Sequence, residues 1–169
     1  MTAKNRSFRR LSARIAGGLI VALLLTSCGM VSRSQALFGG KLDIQVEVRQ
    51  AANQDTPIAL ELLLVESKEA LDQLKAMSAR EWFAGREQFL RDAPKGLDAC
   101  SWREGPCLWE WVPGQKVEPL TVEYKPGPRW GVIFADYVTP GDHRIIVEPR
   151  KHFRLLLAEE SFRVTPYEG

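Results

Sequence analysis

The sequence predicts a mainly β protein: a two-sheet sandwich with a helical insertion, carried behind an export leader. Three observations point there. Through the second half of the chain, short apolar or alternating runs recur between Pro-Gly turns every eight to twelve residues or so, the spacing of a sandwich and not of a parallel α/β sheet. One stretch, about residues 67–93, interrupts that rhythm with helical spacing. The first 27 residues have the layout of a secretory signal, with a basic start, an apolar run and small polar residues at its end.

Lys4, Arg6, Arg9, Arg10 and Arg14 form the basic start, without an acidic residue among them. The apolar run from Ile15 to Leu25 follows. At ~1.5 Å rise per residue it falls well short of the ~30 Å hydrocarbon core of a bilayer, so a permanent transmembrane helix is not expected. Leu25-Thr26-Ser27-Cys28 resembles the lipobox of bacterial lipoproteins, in which cleavage falls before the cysteine and its sulfur takes a diacylglycerol thioether. The alternative is an ordinary signal whose cysteine stays free. The order of basic region, apolar run and lipobox favours lipid. Residues 1–27 are therefore read as a lipoprotein signal peptide, Cys28 as the lipidation site, 28–40 as a lipidated N-terminus and flexible tether, and 41–169 as the folded domain. At roughly 3.3 Å per residue, the tether can extend to about 40 Å.

Removing the leader leaves 142 residues, enough for one domain with its own core. The leader also takes five basic residues with it, leaving 18 Lys and Arg against 21 Asp and Glu. The mature chain is mildly acidic, shows no basic run, and is not expected to bind nucleic acid. Cys100 and Cys107 are the two cysteines left once Cys28 is lipidated, an even number in an oxidising compartment, and they flank a Gly105-Pro106 turn. A disulfide is the expectation. A metal site would need more ligands than these two thiols, and His143 and His152 lie far along the sequence.

Along the domain, Leu42, Ile44, Val46 and Val48 alternate with polar residues, a strand with one wet face. Ala51 to Pro57, "AANQDTP", breaks it with turn residues. A second, more apolar strand carries Leu60, Leu62 and Leu64. Ala70, Leu71, Leu74 and Met77 then stand at helical spacing. Ser78 and Glu81 form a capping box opening a second helix near Ala79, whose stripe is Trp82, Phe83, Phe89 and Leu90. Pro94-Lys95-Gly96 ends it. Strands return with "LWEWV", "VEPLTVEY", "RWGVIFADYV", "HRIIVEP" and "FRLLLAEESFRV".

Little here supports catalysis. No nucleophile elbow, zinc-protease helix, phosphate loop or dinucleotide fingerprint occurs. His143 lies by a Pro-Gly turn and His152 between Lys151 and Phe153, where solvated turn residues are the ordinary explanation. Scattered Asp and Glu are read the same way, on polar strand faces. Trp102, Trp109, Trp111 and Trp130 either line a ligand groove or pack as core and rim, and packing is favoured. Trp109 and Trp111 share strand parity and are expected to cover the helical insertion.

The order of elements is similar to that of the outer-membrane lipoproteins of type VI secretion systems, the TssJ (SciN, VasD) family. The resemblance rests on the lipobox, the first alternating strand, "PIALELLLVES", the aromatic helical stretch "AREWFAGREQFLRD", the turn "VPGQ", and the strands "RWGVIFADYV" and "HRIIVEP". It implies a transthyretin-like sandwich without enzymatic activity, cofactor or small-molecule substrate beyond the covalent lipid on Cys28. It further implies a lipoprotein on the inner face of the outer membrane that binds the periplasmic domain of an inner-membrane TssM/IcmF-like partner. Gly29, where many inner-membrane lipoproteins have aspartate, agrees with outer-membrane transfer. In that family the loop between the first two strands carries much of the contact; here the matching residues include Asn53, Gln54, Asp55, Thr56 and Pro57. The short loop and the Cys100–Cys107 pair depart from the family pattern. A second function remains open: a periplasmic ligand- or peptide-binding, chaperone-like lipoprotein using the tryptophan-rich segment.

Overall fold

The computed structural model describes residues 39–92, 96–98 and 107–167. Of the two units into which the chain divides, 1–37 and 38–169, only the second contains described residues. The leader, Cys28, Cys100 and Trp102 lie outside them.

The domain begins with β1 (Gly40–Val48), a tight turn at Ala52–Asp55 and β2 (Ile58–Val65). Two helices follow, α1 (Lys68–Lys75) and α2 (Ala79–Asp92). The remaining strands are β3 (Leu97–Asp98), β4 (Leu108–Trp111), β5 (Leu120–Tyr124), β6 (Trp130–Ala135), β7 (Arg144–Val147), β8 (Phe153–Leu157) and β9 (Phe162–Pro166). One sheet has the order β5-β1-β8-β9. The other runs β2-β6-β7, with β3 and β4 sharing the outer edge of β2. Pairing is antiparallel except between β1 and β8, where Ile44 stands opposite Phe153 and Val48 opposite Leu157. The result is a two-sheet, transthyretin-like β-sandwich with a helical insertion.

Two apolar clusters hold it together, and β2 contributes to both. Its inward residues Ile58, Leu60, Leu62 and Leu64 join Leu42, Ile44, Val122, Ile133, Leu155 and Leu157 between the sheets. Its outward Leu63 and Val65, with Val132 and Phe134 of β6, pack under Ala70, Leu71, Leu74, Ala79 and Trp82 of the helices. Burial on both faces is why β2 reads as an almost unbroken apolar run, whereas β1, wet on one side, alternates.

The helices form where their signals place them. Ser67 Oγ accepts the Ala70 N–H at 3.1 Å and opens α1. In the capping box, Glu81 Oε2 accepts the Ser78 N–H at 2.7 Å while Ser78 Oγ accepts the Glu81 N–H at 3.3 Å. Those bonds from Ser78 hold the Glu81 carboxyl below its ordinary value. Trp82 stacks on Phe134 with ring centroids 5.3 Å apart and meets Phe89 edge-on at 5.3 Å.

Three features differ from the sequence reading. Glu61 is not on a solvated strand face: it is 0 % exposed under α2. There Arg86 grips it with two bonds, Nε to Oε2 at 2.6 Å and Nη2 to Oε1 at 2.9 Å, and Trp82 Nε1 donates at 2.9 Å. Trp82 and Arg86 are one helical turn apart, so one face of α2 supplies both donors. Secondly, Trp109 and Trp111 do not cover the helices. The register sets them opposite Leu60 and Ile58, whose side chains point between the sheets, so the indoles turn inward and stack on each other at 5.8 Å. Thirdly, the closing run is a hairpin: Ala158–Ser161 separates β8 from β9, and the Ala158 N–H donates to the Ser161 carbonyl at 3.0 Å.

Candidate functional site: the loop cluster

The β1–β2, β4–β5, β6–β7 and β8–β9 connections share one end of the sandwich, here the loop end. The opposite end receives the chain at Gly39, where β1 starts beside the end of β5.

Short backbone bonds bind the loops into one body. The Arg49 N–H donates to the Leu157 carbonyl at 2.9 Å, and the Gly114 N–H to the Arg49 carbonyl at 3.0 Å. Gly114 has φ 73, a left-handed conformation that glycine adopts at little cost. Asn53 is the hub. It is 1 % exposed although it lies in the most polar loop. Its N–H donates to the Ala158 carbonyl at 3.0 Å. Its Nδ2 donates to the carbonyls of Pro57 at 2.9 Å and Asp136 at 3.3 Å, and its Oδ1 accepts the Val138 N–H at 2.7 Å. One buried residue, through its side chain and its backbone N–H, thus joins three connections.

The backbone of this turn is left-handed over three successive residues, with φ of 49, 53 and 61 at Asn53, Gln54 and Asp55. Such a conformation costs an L-residue about 1–2 kcal/mol, least for Asn and Asp. Turning that way aims the Asn53 side chain inward and leaves Gln54 and Asp55 at the tip, both exposed. Thr56 is half-buried with its hydroxyl on the Asn53 carbonyl, and Pro57 is exposed.

Across the cluster, Tyr137 is held between His143, at 4.9 Å, and Phe162, at 6.3 Å. Burial pushes the Tyr137 phenol well above its ordinary value, opposed only in part by the Ala158 backbone. His143, itself left-handed at φ 43, has Nε2 2.8 Å from the Thr139 carbonyl, and Thr139 Oγ1 donates to the Glu160 carbonyl at 2.7 Å. His152, at the other end, accepts the Asp43 N–H on Nδ1 at 2.9 Å. Both histidines are committed to local structure. Between the β6–β7 and β8–β9 connections lies an open cleft of about 560 Å³, lined by Pro140, Asp142, Arg144, Glu160 and Phe162 among others. Across the loop end Asp55, Asp136, Glu159 and Glu160 are exposed, and two valines stand out of the surface, Val112 at 52 % and Val138 at 47 % exposure. The arrangement offers a braced, acidic surface with small apolar knobs. It is suited to binding.

The structure therefore separates the residues that the sequence grouped. Gln54, Asp55 and Pro57 are presented to solvent; Asn53 is withdrawn into the frame. The acidic residues of the other two connections join the tip only through folding, so nothing in their local sequence marks them. Trp111 is buried in the core and the half-buried Trp109 packs against it. Cys107 is buried and disulfide-bonded, and its carbonyl accepts the Leu62 N–H at 2.9 Å; Cys100, the partner expected from sequence, is outside the described residues.

The domain is thus a two-sheet sandwich with helices laid over one sheet. The chain is similar to the type VI secretion lipoprotein TssJ1 of Pseudomonas aeruginosa, with a TM-score of 0.55 and 14% identity over 78% of this chain and 98% of that one. It is also similar to Lip of Serratia marcescens, a membrane-bound component of the type VI secretion system, with a TM-score of 0.54 and 13% identity over 78% of this chain and 98% of that one. A chain of a type VI membrane complex matches at 0.53 and 12% identity, over 77% of this chain and 99% of that one. No family model and no curated protein sequence matches. The domain has the TssJ fold.

Proposed function

We propose that this chain is a lipoprotein subunit of a type VI secretion membrane complex, of the TssJ family. It acts as a structural component and not as an enzyme, anchored in the outer membrane through a lipid on Cys28 and facing the periplasm. Its working surface is the loop cluster, which docks on the periplasmic domain of an inner-membrane TssM/IcmF-like partner. The observation that carries this reading is the fold likeness, which spans nearly the whole length of two type VI secretion lipoproteins. The cluster supports it physically. A loop fixed at both ends and braced by Asn53 loses little freedom on binding, so its contact energy is not consumed by ordering. Its acidic rim and exposed valines fit a partner surface that is basic at its edge and apolar at its centre.

Co-purification of the full-length protein with its envelope partners tests the proposal. The wild type should retain the partner. A variant carrying Asp55→Asn, which removes the charge but tolerates the left-handed backbone, and Val138→Glu, both exposed positions, should lose it with an unchanged unfolding midpoint. Full retention by the folded variant would take the interface away from these loops.

A further inference from the structure

The end of the sandwich at which the chain enters has a charge of its own. A side chain at Gly39 would run into the Tyr124 carbonyl at 2.3 Å and the Lys125 backbone at 3.3 Å, so the chain arrives directly against the β5–β6 connection. That connection reads Lys125-Pro126-Gly127-Pro128-Arg129, and the β7–β8 turn beside it reads Glu148-Pro149-Arg150-Lys151. Arg150 stands near enough to the Tyr124 phenol to oppose the upward push that burial gives it. Lys41 and Lys151 are matched locally, by Glu123 at 2.8 Å and Glu148 at 2.9 Å. Lys125, Arg129 and Arg150 are exposed and make no ion pair among the described residues; Glu66, beside Gly127, offsets one of them. Arg129 and Arg150 flank a cleft of about 530 Å³ that also holds Trp130 and the exposed Ile146. At the loop end the sign is reversed: Asp55, Asp136, Glu159 and Glu160 are exposed and make no ion pair among the described residues, and Arg163, exposed beside the β8–β9 turn, offsets one of them.

We propose that this entry end is a seat for the phosphate groups of anionic phospholipids, holding the domain down on the bilayer in which its own anchor is inserted. The inference rests on lipidation of Cys28. Guanidinium groups bind phosphate oxygens in pairs, and two of them across one cleft match a headgroup. Trp130 and Ile146 beside them give the rim apolar area, which suits the interfacial layer. Residues 29–38 limit the distance from anchor to domain to about 35 Å, so the seat always lies within reach of the surface. Charges act over only ~8 Å in physiological salt, so the attraction operates on contact. Seating also selects an orientation, because the acidic loop cluster would be repelled if it came within that range of the same anionic surface.

The test uses the full-length lipidated protein in phosphatidylcholine vesicles with and without phosphatidylglycerol. An environment-sensitive fluorophore is placed on Pro126→Cys at the seat or on Glu159→Cys at the loop end. Phosphatidylglycerol should shift the seat label to the blue and leave the loop label unmoved, and high salt should reverse the shift. Arg129→Gln with Arg150→Gln should lower the ratio of seated to free domain about thirtyfold, at roughly fivefold per cation, with an unchanged unfolding midpoint. Flotation with the neutral vesicles reports the anchor separately. A protein that fails to float, or a Cys28→Ser variant that floats as well as wild type, removes the premise and with it the proposal. A floating protein whose seat label ignores phosphatidylglycerol, or whose double variant shifts as wild type does, overturns the seat alone.

Discussion

Asn53→Ala is the most informative single change in the loop cluster. It removes three side-chain bonds, to the Pro57 and Asp136 carbonyls and from the Val138 N–H, all partly buried and all made to a side chain that is itself 1 % exposed. Stranding a buried N–H costs about 1–3 kcal/mol, and each carbonyl adds a smaller amount. Alanine also tolerates φ 49 less well than asparagine does, by up to about 1 kcal/mol. The total is about 4 kcal/mol, which lowers the melting midpoint of a domain this size by roughly 10–20 °C. Thermal and urea unfolding of the full-length protein measure it. Asn53→Gly recovers the backbone share alone and should lose about 3 kcal/mol. Asn53→Asp keeps the acceptor for Val138 but sets an oxygen against two carbonyls, and should be as damaging as alanine. Gln54→Gly, one residue along and exposed, should be neutral or stabilising, since it relieves a left-handed residue that makes no such bonds. A loss below about 1 kcal/mol for Asn53→Ala would refute the view that this amide braces the loops.

Arg86→Met leaves Glu61 buried with only the Trp82 N–H and should cost about 3–5 kcal/mol in urea unfolding, whereas adding Glu61→Leu should restore most of it. Mass spectrometry of an unreduced digest should show Cys107 linked to Cys100, and a Cys107 linked elsewhere would refute that pairing. Glu81→Gln should destabilise the protein near neutral pH. The folded carboxyl is held below its ordinary value of 4.5, so its contribution is present above that value and is lost as pH falls through the lowered one. The difference between variant and wild type should therefore close on acidification, and a difference independent of pH would exclude a charged cap.

How far the sequence could be read depended on whether the relevant physics was local. The capping box, the stripe from Trp82 to Leu90 and the Pro-Gly turns are signals within a few residues, and the structure has helices and turns where they stand. The face of a strand is not local. Trp109 and Trp111 correctly share a face, but which face is inward follows from their pairing with Leu60 and Ile58. Glu61 looked solvated because strand parity alone cannot reveal a helix arriving 21 residues later. Its companions on that face, Leu63 and Val65, were the available hint. Within "AANQDTP", three polar residues look equivalent in sequence. Only the left-handed turn separates the buried brace from the exposed tip, and no periodicity encodes it. The two-residue β3 carries no readable pattern and exists only because it lies along Leu64 and Val65.

The helical insertion then takes on a different part from the one its aromatic sequence suggests. Trp82 is wholly buried, so the insertion does not present that ring to a partner. What it does present is a support. The turn between α1 and α2 reaches the loop end, where the Ala79 N–H donates to the Asp142 carbonyl at 2.7 Å and the Arg144 guanidinium donates to the Met77 carbonyl. The other end of that linkage is fixed by Glu61, which ties α2 to the centre of β2 through Arg86 and Trp82. A salt bridge buried in this way adds little net stability compared with an apolar pair, but it admits only one position of the helix along the sheet. Position is what the β6–β7 connection needs, because it is held from one side by Met77 and Ala79 and from the other by Asn53. The insertion and the first loop thus grip the same connection from opposite sides, and the acidic surface between them is set by the packing of the whole domain and not by any one loop.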